Sequence, residues 1–156
     1  MEAFWTIVLA GIGAFIANFG AKYVETLFQR SKNSEDQRNS DLQDLIAAAR
    51  SLGEMSERFW VKGASDLGME GQVLRSQMIA QQHNIAELVE TLFTSPIKWD
   101  CDVKVHALIE HATGGDFWEP DREADPGRLT AILVAVHGLV HAAKAGRRKM
   151  RHNWLA

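Results

Sequence analysis

The first apolar segment of the chain is an uncharged run of nineteen residues, 3–21 (AFWTIVLAGIGAFIANFGA). A helix rises about 1.5 Å per residue, so such a run nearly spans a hydrocarbon core of roughly 30 Å. Only Glu2 precedes it, whereas Lys22, Arg30 and Lys32 follow it. The absence of a basic leader favours an uncleaved anchor, and the positive-inside rule predicts a single pass with the N-terminus outside and the remainder cytoplasmic.

Small residues recur at helical spacing within this run. Small side chains let two membrane helices approach closely, and an amide in lipid favours a hydrogen bond to a neighbouring helix. One interpretation is a homo-oligomeric bundle, which would need several copies to enclose a pore. The other is a lone anchor, because Gly and Ala are common in membrane helices. The residues predicted to mediate membrane assembly are Gly11, Gly13, Ala14, Ala17 and Asn18.

Beyond the run, apolar spacing predicts an all-α protein in three parts. Residues 1–32 comprise the membrane helix and an amphipathic extension, and the polar residues 33–40 (NSEDQRNS) predict a hinge. Residues 41–156 form the predicted cytosolic helical domain. Within it, apolar residues three and four apart predict a helix over about 40–62, with Ser40 as a plausible N-cap.

Three further helices follow in the pattern. Apolar residues from Leu74 to Leu92 form a heptad-like seam that extends to about residue 94, and Gln81 and Gln82 weaken the case for a long coiled coil. Pro96 predicts the end of that helix. A short helix is predicted over about 102–112, capped by Asp100 or Asp102. The last helix has Asp125 as its predicted N-cap and Pro126 at its first position.

The charge distribution divides the chain after residue 32 into an acidic body and a basic tail. Residues 33–143 carry 9 Lys and Arg against 18 Asp and Glu, whereas residues 144–151 alone carry five bases. The body is therefore acidic and the tail basic. The tail is either a solvated helix end or a binding segment for anionic lipid, nucleic acid or a neighbouring acidic face. The single cysteine, Cys101, excludes an intramolecular disulfide and is typical of a small buried residue.

The candidate binding site is the loop from His111 to Arg122 (HATGGDFWEPDR). Paired glycines let a partner approach the backbone closely, arginines pair with phosphate, and aromatic rings stack on bases. The alternative is structural: a helix C-cap, a turn and aromatic side chains in the core. The residues predicted to bind a ligand are Thr113, Gly114, Gly115, Asp116, Phe117, Arg122 and Arg128.

Other chemistry is weakly indicated. His137 and His141 lie four residues apart, but Gly138 stands where an HExxH motif has Glu, and no acid completes a ligand set. We find no nucleophile, base and acid set and no P-loop. The sequence therefore predicts a protein that is not an enzyme and that uses no metal or cofactor.

The architecture and the Ala112–Phe117 loop resemble the small membrane effectors of bacterial antiphage systems, such as retron effectors and CRISPR-associated effectors gated by cyclic oligoadenylates. The resemblance implies an inner-membrane protein whose soluble part senses a nucleotide messenger or a defence-system partner and whose membrane part oligomerises to perturb the bilayer. Many such effectors have two or more spans, whereas this run predicts one. The alternative function is a constitutive tether or scaffold that binds a protein or a nucleic acid.

Overall fold

In a computed structural model, the backbone is described for residues 2–153, and the side chains for residue 29 and residues 32–150. The described backbone is helical and contains no strand, so the predicted all-α class is confirmed there. Packing divides the chain into two units, residues 1–39 and residues 40–156. The elements are α1 (Glu2–Trp60), α2 (Ala64–Leu67), α3 (Met69–Leu92), α4 (Ile97–Thr113), a 3-10 turn (Gly115–Trp118) and α5 (Arg128–Asn153).

Helix α1 confirms the predicted core positions but not the predicted helix start. At the predicted three- and four-residue spacing Met55 is partly buried, and the other positions are buried: Leu45, Ile46, Ala49, Leu52, Phe59 and Trp60. No helix begins at Ser40, because residues 33–40 are themselves helical and exposed. Residues 21–52 contain neither Gly nor Pro, so nothing in the backbone chemistry interrupts the helix there. The role of residues 33–40 as a hinge stays a prediction.

Helix α3 directs its heptad-like seam into the domain. Leu74, Met78 and Ile85 are almost completely buried. The two glutamines of the seam are half-buried, and each donates a hydrogen bond within the domain: Gln81 Nε2 to the carbonyl of Ala48 at 3.3 Å, and Gln82 Nε2 to Thr113 Oγ1 at 2.6 Å. The seam is therefore part of the intramolecular core.

Helix α4 begins earlier than predicted. It starts at Ile97, directly after Pro96 in the N-cap position, and neither Asp100 nor Asp102 caps it. Proline suits a helix start because it lacks the amide hydrogen that would otherwise need a partner. Pro96 therefore separates α3 from α4 and also starts α4.

Helix α5 begins at Arg128, two residues after the predicted first position, Pro126. The predicted capping bond is present, because Asp125 Oδ1 accepts a hydrogen bond from the backbone amide of Arg128, three residues later, at 3.2 Å. Ile132, Leu139 and Ala143 are fully buried, and α5 packs extensively against α4. At buried Gly146, an added Cβ would overlap Ile97 Cγ2 and lie 3.2 Å from Phe93 Cε1. Close packing at this position therefore requires glycine.

Residues 128–150 also form the one segment, among the described side chains, that is long and apolar enough to cross a membrane. One face of this segment lies in the domain core, through Ile132, Val136, Leu139 and Ala143. The side chains of residues 3–21 lie outside the described residues. The predicted N-terminal membrane helix therefore stays a prediction.

Candidate functional site

The predicted ligand loop connects the end of α4 to the start of α5. Gly114 ends α4, and its amide donates to the carbonyl of Glu110 at 2.9 Å. Gly115 has a φ of +63°, a left-handed conformation that favours glycine. An added Cβ at Gly115 would also lie 2.9 Å from Arg128 Nη2. Both glycines thus have structural roles, one at a helix end and one beneath an arginine.

Arg122 holds the loop against the end of α1. Its Nη2 donates to the carbonyls of Phe59 and Lys62, each at 2.8 Å, and its Nη1 donates to the carbonyl of Glu123 at 2.8 Å. The residue is 3% exposed, and burial lowers the pKa of its guanidinium. The amide of Asp125 donates to the carbonyl of Trp60 at 2.8 Å. Residues 122–125 therefore satisfy the C-terminal carbonyls of α1, which a helix cannot satisfy itself.

Two more arginines surround the same rings. The guanidinium carbon of Arg128 lies 4.0 Å from the ring centre of Trp60, and that of Arg122 lies 4.2 Å from the ring centre of Phe59. Arg75, on α3, lies 5.7 Å from Phe59 and donates to the carbonyl of Glu119 at 3.1 Å. These are cation–π distances. We call this group the arginine–aromatic cluster: Phe59, Trp60, Arg75, Phe117, Arg122 and Arg128.

The remaining predicted ligand residues are also engaged within the domain. Thr113 Oγ1 accepts from Gln82 and donates to the carbonyl of Ile109 at 3.1 Å. Phe117 is completely buried. The half-exposed Asp116 carboxylate lies 3.6 Å from Arg128 Nη1, an ion pair too long to be a hydrogen bond. The structure thus brings the predicted residues together around one loop. Ligand binding by them stays a prediction.

Sequence reasoning missed Arg75, which comes from α3 and lies 42 positions before Phe117. A solitary base on an amphipathic helix resembles any solvated residue, so no local signal identifies it.

Sequence reasoning also missed a cavity of about 310 Å³ between α4 and α5. It combines apolar, basic and acidic side chains from two helix segments some forty residues apart. One local signal was available: Trp99 and Val103 lie four residues apart, one turn of α4, and Trp99 precedes the predicted helix. We call this cavity the α4–α5 groove, lined by Ile97, Trp99, Asp100, Val103, Lys104, His141, Ala142, Ala145, Gly146 and Lys149.

No group of three or more potential metal ligands occurs among the described residues. His137 and His141 are both exposed on α5. Cys101 is a buried free thiol whose pKa is raised to about 11, first by burial and then by Asp100 and Asp102. The residues predicted to mediate membrane assembly, Gly11 to Asn18, lie outside the described side chains.

Comparison with family models, curated proteins and solved structures finds no match for this chain. The fold and the two sites define a small helical domain with one largely buried arginine–aromatic cluster, in which Arg75 Nε, Arg122 Nε and Arg128 Nη1 have no hydrogen-bond partner among the described residues, and one open groove.

Proposed function

We propose that this chain is a membrane-anchored, self-associating protein of the antiphage effector type. In this proposal the helical domain receives a nucleotide messenger or a protein partner, and the membrane helices respond by changing their assembly and perturbing the bilayer. It has no enzymatic activity of its own. The observation that carries the proposal is the uncharged run of residues 3–21, with its small residues at helical spacing.

The domain supports an anchored sensor better than a coiled-coil scaffold. The seam of α3 is buried inside the domain, so it offers no surface to a second coiled-coil helix. A signal would instead act on the surface of the domain or on the loop between α4 and α5. The arginine–aromatic cluster joins that loop to the end of α1, the helix that also contains residues 3–21. A ligand that moved the loop would therefore act directly on α1.

The anchor is tested by extraction of membranes with alkaline carbonate. We expect the full chain to remain in the membrane pellet. Ile12→Asp combined with Ile16→Asp should release it, because each Asp costs about 3 kcal/mol at the centre of a membrane helix. Leu133→Asp is the matched control, since Leu133 is apolar, 58% exposed and on α5. Release by the control alone would mean that α5, and not residues 3–21, is the membrane segment.

Self-association is tested by the mass of the full chain in detergent. We expect an oligomer that Gly13→Leu combined with Ala17→Leu dissociates, whereas Val8→Leu leaves its mass unchanged. A monomeric wild type would contradict the assembly.

The effector activity is tested in cells with a membrane-potential dye, where induction together with phage challenge should depolarise the membrane. A wild type that never depolarises cells would support a passive tether.

A further inference from the structure

The α4–α5 groove exposes the most accessible tryptophan among the described residues. Trp99 is 68% exposed, and Val103, one turn later on the same face, is 46% exposed. Burial of large aromatic side chains is favourable, so an exposed tryptophan beside an apolar neighbour is typical of a contact surface. Tryptophan is also enriched where protein meets the headgroup region of a bilayer.

Two lysines line the groove with this aromatic side chain. Lys104 and Lys149 line the groove with His141, and Asp100 is the one carboxylate in its lining. Lys144 and Arg148 are exposed on the same turns of α5 as Lys149. Residues 33–143, in contrast, carry twice as many acids as bases, with 18 against 9. An anionic surface is therefore attracted to this end of the domain and repelled by most of the remainder.

The dimensions of the groove fit a headgroup. Its volume of about 310 Å³ is at the lower end of the range for small-molecule sites. Gly138 leaves room for the stem of Lys104, whose Cδ would lie 3.8 Å from an added Cβ. A lysine that lays its stem on apolar surface keeps its ammonium in the polar layer. The groove thus offers cations to a phosphate and apolar side chains to the region just below it.

We propose that the α4–α5 groove binds the headgroup of an anionic phospholipid, with Trp99 and Val103 inserted into the interface of the bilayer. A bilayer surface presents negative charge and apolar material within a few ångströms of each other, which matches the arrangement of lysines and Trp99. This contact requires only residues 97–149. It is therefore independent of whether residues 3–21 anchor the chain.

The test uses the full chain reconstituted in vesicles whose lipids carry bromine near the headgroup, a quencher of tryptophan fluorescence. We compare phosphatidylcholine alone with a mixture that contains phosphatidylglycerol. Trp5 in the proposed anchor should be quenched in both lipids. The quenching should be larger with phosphatidylglycerol, and this increase should disappear in Trp99→Phe and weaken at high salt. Trp118→Phe is the matched control, because Trp118 is 64% exposed but lies in the loop. Quenching that is equal in both lipids, or a phosphatidylglycerol-dependent increase that survives Trp99→Phe, would overturn the proposal.

The lysines are tested separately from the anchor. In the Ile12→Asp and Ile16→Asp background, binding is measured by sedimentation with phosphatidylglycerol vesicles. Lys104→Gln combined with Lys149→Gln should weaken binding about 25-fold, since each lysine near an anionic surface contributes about fivefold. Arg58→Gln combined with Lys62→Gln removes the same charge outside the groove and should weaken it much less.

Two outcomes would reject the lipid assignment. Equal losses in the two double variants would mean that net charge alone, and not the groove, attracts the vesicle. Protection of Trp99 from acrylamide by a single-stranded oligonucleotide, with no response to phosphatidylglycerol, would assign the groove to nucleic acid. Circular dichroism of every variant checks that the helices are intact.

Discussion

A tryptophan lies near basic side chains at each end of α5, but one tryptophan is buried and the other is exposed. At the N-terminal end, Arg122 and Arg128 cover Trp60, which is 0% exposed. At the other end, Lys104 and Lys149 line the groove beside Trp99, which is 68% exposed. The first group stabilises the fold because the protein's own carbonyls and rings engage it. The second is open to a partner. Residue type alone therefore does not distinguish a structural cluster from a binding surface.

The largest effect is expected from replacing Arg122, the central arginine of the arginine–aromatic cluster. Arg122→Met would leave three carbonyls without their donor, so we expect the free energy of unfolding to fall by about 3 kcal/mol or more. Urea unfolding of the full chain in neutral detergent measures it. Arg50→Met, on the exposed face of α1, should change stability by less than about 0.5 kcal/mol. An unchanged midpoint for Arg122→Met would show that the cluster contributes little to folding.

The reactivity of the Cys101 thiol tests whether α4 stays packed against the core beside the α4–α5 groove. With a pKa of about 11 instead of 9.0, the thiol should react with iodoacetamide near neutral pH about a hundredfold more slowly than an ordinary cysteine. Its contribution to stability is complete below pH 9.0 and is lost as the pH rises towards about 11, because the unfolded thiol ionises first. Fast alkylation of the native chain would mean that α4 separates from the core. Cys101→Ser combined with Ser65→Cys provides an exposed thiol for comparison.

Gly146 and Gly138 test how closely α5 is packed against its neighbours. Gly146→Ala forces a shift of Ile97 and Phe93, so we expect a loss of about 1–2 kcal/mol despite the higher helix propensity of alanine. At Gly138 the nearest atom to an added Cβ is 3.8 Å away. Gly138→Ala should therefore stabilise the protein by up to about 1 kcal/mol. Thermal unfolding measures both, and equal shifts would contradict the packing described for Gly146.

The smallest effect on stability is expected from Asp116, at the solvent-exposed edge of the arginine–aromatic cluster. Asp116→Asn removes an ion pair to Arg128 in which the carboxylate is half-exposed, so solvent screens it. We expect a loss of less than about 1 kcal/mol, and a smaller one at high salt. A larger loss in urea unfolding would mean that Asp116 belongs to the interior of the cluster.

Local chemistry explains which parts of the fold could be predicted. The buried spacing from Leu45 to Trp60 and the Asp125 cap depend on neighbours within a few residues, and both are confirmed. The start of α4 was misplaced, because Pro96 both ends one helix and begins another. The continuity of α1 through residues 33–40 was missed because polarity was interpreted as a break. Exposed polar residues are equally compatible with a helix.

The candidate sites could be predicted only in part, because their contacts are distant in sequence. The loop was identified from its glycines, but the partners of Arg122 lie 60 and 63 residues earlier. The groove joins residues near 100 to residues near 145, and no local pattern links them. Tertiary contacts of this kind decide whether an arginine binds a carbonyl of its own chain or a ligand.

The position of Arg122 has a consequence for biosynthesis. The carbonyls of Phe59 and Lys62 are made long before their donor, so the end of α1 stays incomplete until residue 122 has left the ribosome. Residues 3–21 emerge first, and a membrane segment there would meet the insertion machinery while the domain is still unfolded. Under the anchor proposal, membrane insertion would therefore precede completion of the fold at the end of α1.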